Sequence, residues 1–389
     1  MTQDEPIALD DLWWAEPVLK DRLRSDPLGA LKEQGINLPA DVPVGLAHEV
    51  LRLVSLIWLN GKLTPRSKFT IDPFDEGLLF GKGIWESTRT FDHAPWLWDA
   101  HIERLTHSAG LLGIAIQPER LPSAAQVTEF VKSLTSLDVV VRLNVTAGVP
   151  GKPGIVWMTA APLPAPYLSV TLQTVASPVP KDQPYLVWKT FQYATRLRVG
   201  QSVRAAGFDT ALLIDQEGNL LEASHANIFL RLPSGWVTPA LNGGFLPGTL
   251  RAHVVKHSPL SVREEKVSIQ KLSDCWEVFL TNSNAGIVPV TRIDGRQYAV
   301  GPETKRLMEW LMEWLAISPR CSASVAGIGQ RRGRGPTSCA FFGARWRTRG
   351  QRDLETGLHV GNVFAATNGA EQPDRETFFR PRIFAIQSQ

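Results

Sequence analysis

The sequence predicts an α+β fold, with a small α/β domain followed by a larger β-rich domain. Three observations carry that expectation. Short apolar strands alternate with amphipathic helical stretches from Ser55 to about residue 148. A Pro-rich segment, Ala161 to Tyr167 (APLPAPY), then interrupts the chain. Beyond it, strand follows strand with few helices between, which argues against a doubly wound sheet. At 389 residues the chain is long enough for about two or three domains and an ample core. The expected division is a helical extension over 1–50, the small domain over 51–160, a linker over 161–167, the larger domain over 168–317, and an Arg/Gly-rich, disordered tail over 318–389.

Within the extension, Leu19, Leu23, Leu28 and Leu31 recur at helix-compatible intervals, Asp26-Pro27 marks a helix start and Gly35 a stop. The run VSLIWLNGKLTP is a hairpin signal, two short strands around an Asn-Gly turn. Gly83 to Phe91 reads as a strand, Asp92 to Pro95 as a turn, and Asp99 to Leu112 as a helix with Ile102, Leu105 and Ala109 on one face. Residues 139–148 form a buried strand. In the larger domain, LSVTLQTVA, the two strands around Asp-Gln-Glu-Gly-Asn, GWVTPAL, SVREEKVS and WEVFLTNSNAGIVPVTRIDGR all read as strands. A last helix from Pro302 to Leu315 aligns Leu307, Trp310, Leu311 and Trp314.

Composition narrows the class of function. The net charge of +3 gives no argument for nucleic acid, and the basic excess sits between residues 320 and 352. Arginines interleaved there with Phe341, Phe342 and Trp346 make an RNA-binding tail the sharper alternative to disorder, and a non-native reading frame after about 317 is a third reading. Cys275, Cys321 and Cys339 have neither metal-ligand nor disulfide-framework spacing, so no metal site is expected. The acidic N-terminus lacks a signal-peptide pattern, and no stretch reaches the length of a membrane span. A cytoplasmic chain with no membrane partner is expected.

The chemistry centres on Tyr185 to Leu230. Lys189 stands among Val187, Trp188 and Phe191. It is either a surface lysine that snorkels from a strand end or a desolvated amine whose lowered pKa suits it to Schiff-base formation. Glu222, alone, would be a solvated loop acid. A glycine before a helix start, in FLPGTLRAHVV, offers free N–H groups to an anion.

Four blocks fall in one order: FGKGIWESTR with HIERLTHSAGLLGI, WKTFQYATRL, EASHANIFL, and LPGTLR with TNSNAGIVPV. Together they closely resemble the fold-type IV pyridoxal-phosphate enzymes, the superfamily of branched-chain and D-amino-acid aminotransferases and 4-amino-4-deoxychorismate lyase. The resemblance spans about residues 55–317 and implies pyridoxal 5′-phosphate held between the two domains. It implies that Lys189 is the catalytic lysine and that Glu222, beside Asn227 and Phe229 of the N-x-F motif, pairs with the pyridine nitrogen. Arg104, Gly248, Thr249, Leu250, Ser283 and Asn284 would hold the phosphate. Many relatives have an aliphatic residue and then threonine after the glycine, whereas here the order is Thr249-Leu250, so the resemblance implies a backbone contact at this place. Tyr193 would lie near the cofactor, with Gln192 where asparagine is more usual. Glu86 and Arg89 would touch substrate at the entrance, or else lie on a strand's solvent face, and His101 would be structural.

The expected function is an aminotransferase moving an amino group between an amino acid and a 2-keto acid through a Lys189 Schiff base, in a homodimer. The TNS-x-x-G-I-x-P-V form looks closer to the lyase or the D-amino-acid enzymes than to the branched-chain ones, so a lyase releasing pyruvate is the alternative. SDPLGALKEQGINLPADVPVGLAHEV resembles leader segments similar to nitrile hydratase subunits. That resemblance implies a peptide-recognition module fused to a reduced enzyme core, against the simpler reading of a helical cap.

Overall fold

The computed structural model describes residues 26–33, 44–164, 166–178, 187–241 and 244–321. The expected tail beyond Cys321, and the extension before Asp26 and over 34–43, lie outside the described residues; residues 318–321 of that tail instead continue the last helix. Two short helices come first, α1 (Pro27–Glu33) and α2 (Val44–Ser55). Asp26 starts α1 by accepting from the Gly29 N–H at 2.8 Å. Both helices bury one apolar face: Ala30, Leu31, Ala47, Val50 and Leu51 are all at most 1% exposed and share a core with the first sheet. Glu49 reinforces the packing, accepting from the Thr135 hydroxyl at 2.6 Å and the Ser136 N–H at 3.0 Å.

Strand β1 (Leu56–Leu59) follows α2 directly and turns through Asn60 and Gly61, both left-handed at φ 46° and 94°, into β2 (Lys62–Pro65). This is the turn that an Asn-Gly hairpin requires. After the single turn α3 (Glu76–Leu79) come β3 (Gly83–Phe91), β4 (Ala94–Pro95), α4 (Trp98–Leu112), α5 (Ala124–Leu134), β5 (Val139–Thr146) and β6 (Val156–Pro162). The sheet order is β2-β1-β6-β5-β3-β4, with every pairing antiparallel. Helix α5 was not among the expected elements, although Ser123 and Gln126 form a capping box at its start. Strand β6 runs into the Pro-rich segment as far as Pro162.

The second sheet contains β7 (Val170–Ala176), β8 (Thr210–Ile214), β9 (Leu220–Ala223), β10 (Asn227–Leu232), β11 (Gly235–Pro239), β12 (Val262–Glu265), β13 (Glu277–Asn282), β14 (Gly286–Ile293) and β15 (Arg296–Gln297). Its main path is β12-β11-β10-β13-β14-β7-β8-β9, and it mixes parallel with antiparallel pairs. Among the described residues three α-helices belong to this part: α6 (Ala194–Ala205), α7 (Thr249–His257) and α8 (Pro302–Cys321). Leu307, Leu311 and Leu315 of α8 pack on Phe229, Phe279 and Leu250, with Trp310 and Trp314 partly buried against the same cluster. Trp96, from the turn between β4 and α4, is buried in that cluster too, so the two sheets share apolar contact.

A second link is made by backbone. Trp85 N donates to Lys189 O and Phe191 N to Gly83 O, both at 2.9 Å, so residues 189–191 lie along β3 of the first sheet. Gly83 is required there, because a Cβ would lie 2.5 Å from the Phe191 ring.

If α2 is integral to the core, Leu51→Ala should cost about 2–5 kcal/mol, the range for a buried leucine that leaves a cavity. Urea denaturation of the two chains checks this, and an unchanged midpoint would show α2 to be peripheral.

Candidate active site

Between the sheets lies a cavity of about 700 Å³. Lys189 reaches it from the segment laid along β3, its Nζ 3.7 Å from the centre of the Trp85 ring. The indole is fixed in turn by its own N–H, which donates to Thr190 O at 3.0 Å. Burial brings the Lys189 amine down to about 7; attraction to Glu86 opposes this, while Arg104, Arg142 and Arg196 add to it. Of the two readings left open for this lysine, the desolvated amine is the one the geometry favours.

Glu222 enters from β9, 3% exposed. Arg196, on the first turn of α6, donates to its Oε1 at 2.6 Å and to Ser224 O at 3.2 Å. Burial raises the Glu222 pKa, and Arg196 only partly offsets it. The carboxyl therefore holds a proton more readily than a solvated glutamate.

The opposite end of the cavity gathers the loop before α7, the β13–β14 turn and Arg104, the segments expected to hold an anion. Gly248 caps α7, and a Cβ there would meet Asn227 Oδ1 at 2.0 Å, so only glycine fits. Asn227 keeps this loop in place by donating to Leu246 O at 2.9 Å. The free N–H groups of the first turn of α7 face the same end, and Leu250 lends its backbone while its side chain sits 1% exposed in the core. Ser283 and Asn284 come from the turn between β13 and β14, and Asn282 shapes that turn by accepting from Asn284 N and Ala285 N at 2.9 and 2.7 Å. Arg104 reaches over from α4, donating from Nη1 to Pro247 O at 2.7 Å.

Two expected substrate contacts stand elsewhere. Glu86 is 1% exposed, outside the cavity lining, with both carboxylate oxygens taken by Arg104 and Oε2 also 2.7 Å from His101 Nδ1. The alternation of β3 explains it: Trp85 and Ser87 face the cavity, so Glu86 faces α4. Arg89 falls on the cavity side of that alternation but lies farther along the strand, its guanidinium 4.4 Å from the centre of the Phe91 ring and outside the lining. His101 is structural, as the sequence suggested, buried between Glu86 and Thr249.

The remaining wall holds the expected Tyr193 together with residues the sequence did not single out. Tyr193, the expected neighbour of the lysine, sets its ring edge-on to Trp85 at 5.5 Å, and its hydroxyl lies 2.7 Å from His225 Nδ1. Burial raises the Tyr193 pKa, while His225 is lowered to about 4 by burial and by the nearby cations Arg196 and Lys189. Arg142 of β5 is exposed towards the cavity, stacked 3.8 Å over Trp85, with Nε on Asn144 Oδ1 at 2.9 Å. No carboxylate pairs with it among the described residues. A lone arginine in the apolar strand VVVRLNV was the available signal. Arg196 and His225 gave none that distinguishes them from ordinary helix and loop residues.

Among the described residues no His, Cys, Asp and Glu cluster could hold a metal ion, and no helix is long and apolar enough to cross a membrane. Comparison with known proteins agrees with the geometry. A putative branched-chain-amino-acid aminotransferase of Methanocaldococcus jannaschii is 32% identical over 274 residues, covering 65% of this chain and 94% of that protein. An aminodeoxychorismate lyase of Bacillus subtilis is 25% identical, covering 62% and 88%. The fold matches a hypothetical aminotransferase of Mycobacterium tuberculosis in its PLP-bound form with a TM-score of 0.61, at 22% identity, over 68% of this chain and 99% of that one. The model of the amino-transferase class IV family matches residues 83–293, and this chain is a member of that pyridoxal-phosphate-dependent family.

Proposed function

We propose that the chain moves an amino group between an amino acid and a 2-keto acid, with Lys189 as its catalytic residue. One observation carries this: a desolvated amine, a buried carboxyl and an anion-binding end, drawn from separate elements, face a single cavity. The residues present fit pyridoxal 5′-phosphate. Lys189 would hold its aldehyde carbon, Glu222 its ring nitrogen, and Arg104, the α7 N-terminus and Ser283 its phosphate. Arg104 has further N–H groups beyond those given to Glu86 and Pro247.

When bound, the cofactor supplies an aldehyde that captures the amino group and a ring that draws electrons from the substrate Cα. The chain supplies the rest. With its pKa near 7, the Lys189 amine can both take a proton from the substrate Cα and return one at neutral pH. The raised affinity of Glu222 for a proton suits it to share one with a ring nitrogen. Trp85, Tyr193 and His225 line the cavity beside Lys189 and confine the space around its amine. Arg142, a guanidinium beside them with no carboxylate partner among the described residues, is placed to bind the substrate carboxylate.

Lyase chemistry is the second reading, supported by the Thr281 to Val290 loop form and the B. subtilis relative. The higher identity to the M. jannaschii relative puts the aminotransferase reading ahead. A recognition module with a reduced core finds less support, since Lys189 and Glu222 are both in place and α1 and α2 spend their apolar faces on the core. We further infer a homodimer in the cytoplasm. Phe74, Leu78, Leu79 and Phe80, 52–73% exposed along one edge beside the cavity, suit cover by a second copy.

Borohydride treatment of the chain with pyridoxal phosphate should fix the label on Lys189, found by peptide mass, and the Lys189→Ala chain should stay unlabelled. Only the neutral amine reacts, so the uptake rate should rise with pH up to about 7 and then level off. A rise continuing to the ordinary lysine pKa would contradict the desolvated amine. Amino donors should convert the bound cofactor to its amine form; pyruvate released from aminodeoxychorismate without a keto acid, and no conversion by any donor, would decide for the lyase.

Replacing Arg142 by alanine should raise KM for carboxylate substrates by roughly tenfold to a hundredfold, with kcat much less affected. A loss confined to kcat would take Arg142 out of substrate binding. Sedimentation equilibrium and cell fractionation check the assembly and compartment; a one-chain mass or a secreted product would remove those parts.

A further inference from the structure

A run of hydrogen bonds leads from Glu86 to both loops of the anion end. Arg104 Nε and Nη2 donate to Glu86 Oε1 and Oε2 at 2.7 and 2.6 Å, and His101 Nδ1 lies 2.7 Å from Oε2. On its other side His101 Nε2 lies 3.2 Å from Thr249 Oγ1, which is 2.9 Å from Ser283 Oγ. The Ser283 carbonyl is tied back to β3 by the Arg89 N–H at 3.2 Å. Thr249 and His101 are 8% and 1% exposed, so water does not compete freely for these atoms.

The direction of each bond follows from the end of the run. Burial opposes a charge on Glu86, but Arg104 and then His101 outweigh it and hold the group as a carboxylate, which only accepts. His101 Nδ1 must then carry the hydrogen. Burial lowers the His101 pKa against the pull of Glu86, which leaves the ring neutral and Nε2 bare. A bare Nε2 accepts, and Thr249 Oγ1 is the donor beside it. The threonine has one hydroxyl hydrogen, so it cannot also offer that hydrogen to an anion. Ser283, next in the run, can turn its hydroxyl hydrogen either to Thr249 or into the cavity.

We propose that His101, held by Glu86, is a positioning residue that turns the Thr249 hydroxyl away from the anion, so that the side-chain hydroxyl serving the anion is that of Ser283. The anion end then consists of Ser283, Arg104 and the first backbone N–H groups of α7. The threonine that follows Gly248 acts as a spacer between the α4 helix and the β13–β14 turn, locking their separation. This rests on the assignment of that end of the cavity to a phosphate.

Nitrogen-15 NMR of the full chain without cofactor tests the direction of the run, with the His101→Asn spectrum locating the His101 signals among the eight histidines. The ring should be the Nδ1–H tautomer with a hydrogen-bonded, bare Nε2 whose signal moves in Thr249→Val. An Nε2–H tautomer, or a doubly protonated ring at neutral pH, would overturn the proposal. Fluorescence quenching by pyridoxal phosphate and by pyridoxal supplies the second arm. Ser283→Ala should weaken the phosphate-bearing ligand by about tenfold and pyridoxal little, and Thr249→Val should weaken the former by less than about threefold. The reverse order would overturn it. Equal losses on both ligands in both variants would remove the phosphate assignment itself, and the proposal with it, whatever tautomer the spectrum gives.

Discussion

The Glu86 carboxylate is the constraint on which the rest of the site depends. It is 1% exposed, and its two oxygens hold Arg104 in a bidentate pair while Oε2 also takes His101. A buried charge persists only with partners that satisfy it, and losing one partner of such a pair typically costs about 3–5 kcal/mol. That cost makes the arrangement of β3, α4 and the loop before α7 a single solution. Arg104 cannot leave its place without stranding Glu86, and Pro247 cannot move without releasing Arg104. Three remote segments that line one end of the cavity are thereby held in a fixed arrangement.

Lys189 is placed by an equally indirect route. Its segment follows β7 in the chain, yet it forms backbone bonds with β3 of the other sheet, which is how an amine from one half of the molecule enters a cavity between both. The Trp85 ring beside it excludes water on one side, with Arg142 stacked on the same indole. Three guanidinium groups in the surroundings help to discharge the amine, and two of them are themselves paired, Arg104 with Glu86 and Arg196 with Glu222. Among the described residues the site thus keeps most of its positive charge in balanced pairs, while Arg142 has no carboxylate partner.

Much of this was legible in the residues. The Asn-Gly hairpin, the strand Gly83 to Phe91, the α4 helix and the strands around Glu222 appear close to where turn chemistry and periodicity put them. The blocks around Lys189, Glu222, Arg104, Gly248 and Ser283 pointed to one cofactor, and the structure gathers those five around one cavity. Glu86 lies outside the cavity lining although the block holding it lines the site, because only the strand's alternation, anchored by Trp85 and Ser87, decides which face an individual residue takes. Arg196 and His225 were invisible because their importance is a distance to Glu222 and to Tyr193, and nothing in local composition encodes it.

By itself the sequence determined the cofactor class and most of the strands and helices, because these follow from residue type, spacing and local periodicity. The tertiary structure alone decided which charges are paired and which are free. Glu86 became an internal anchor, Arg142 a cation with no carboxylate partner among the described residues, and the Thr249 hydroxyl a neighbour of His101 within hydrogen-bond distance. Pairing depends on segments far apart in the chain meeting within hydrogen-bond distance in a place that water cannot screen, and burial there sets the charge of each group.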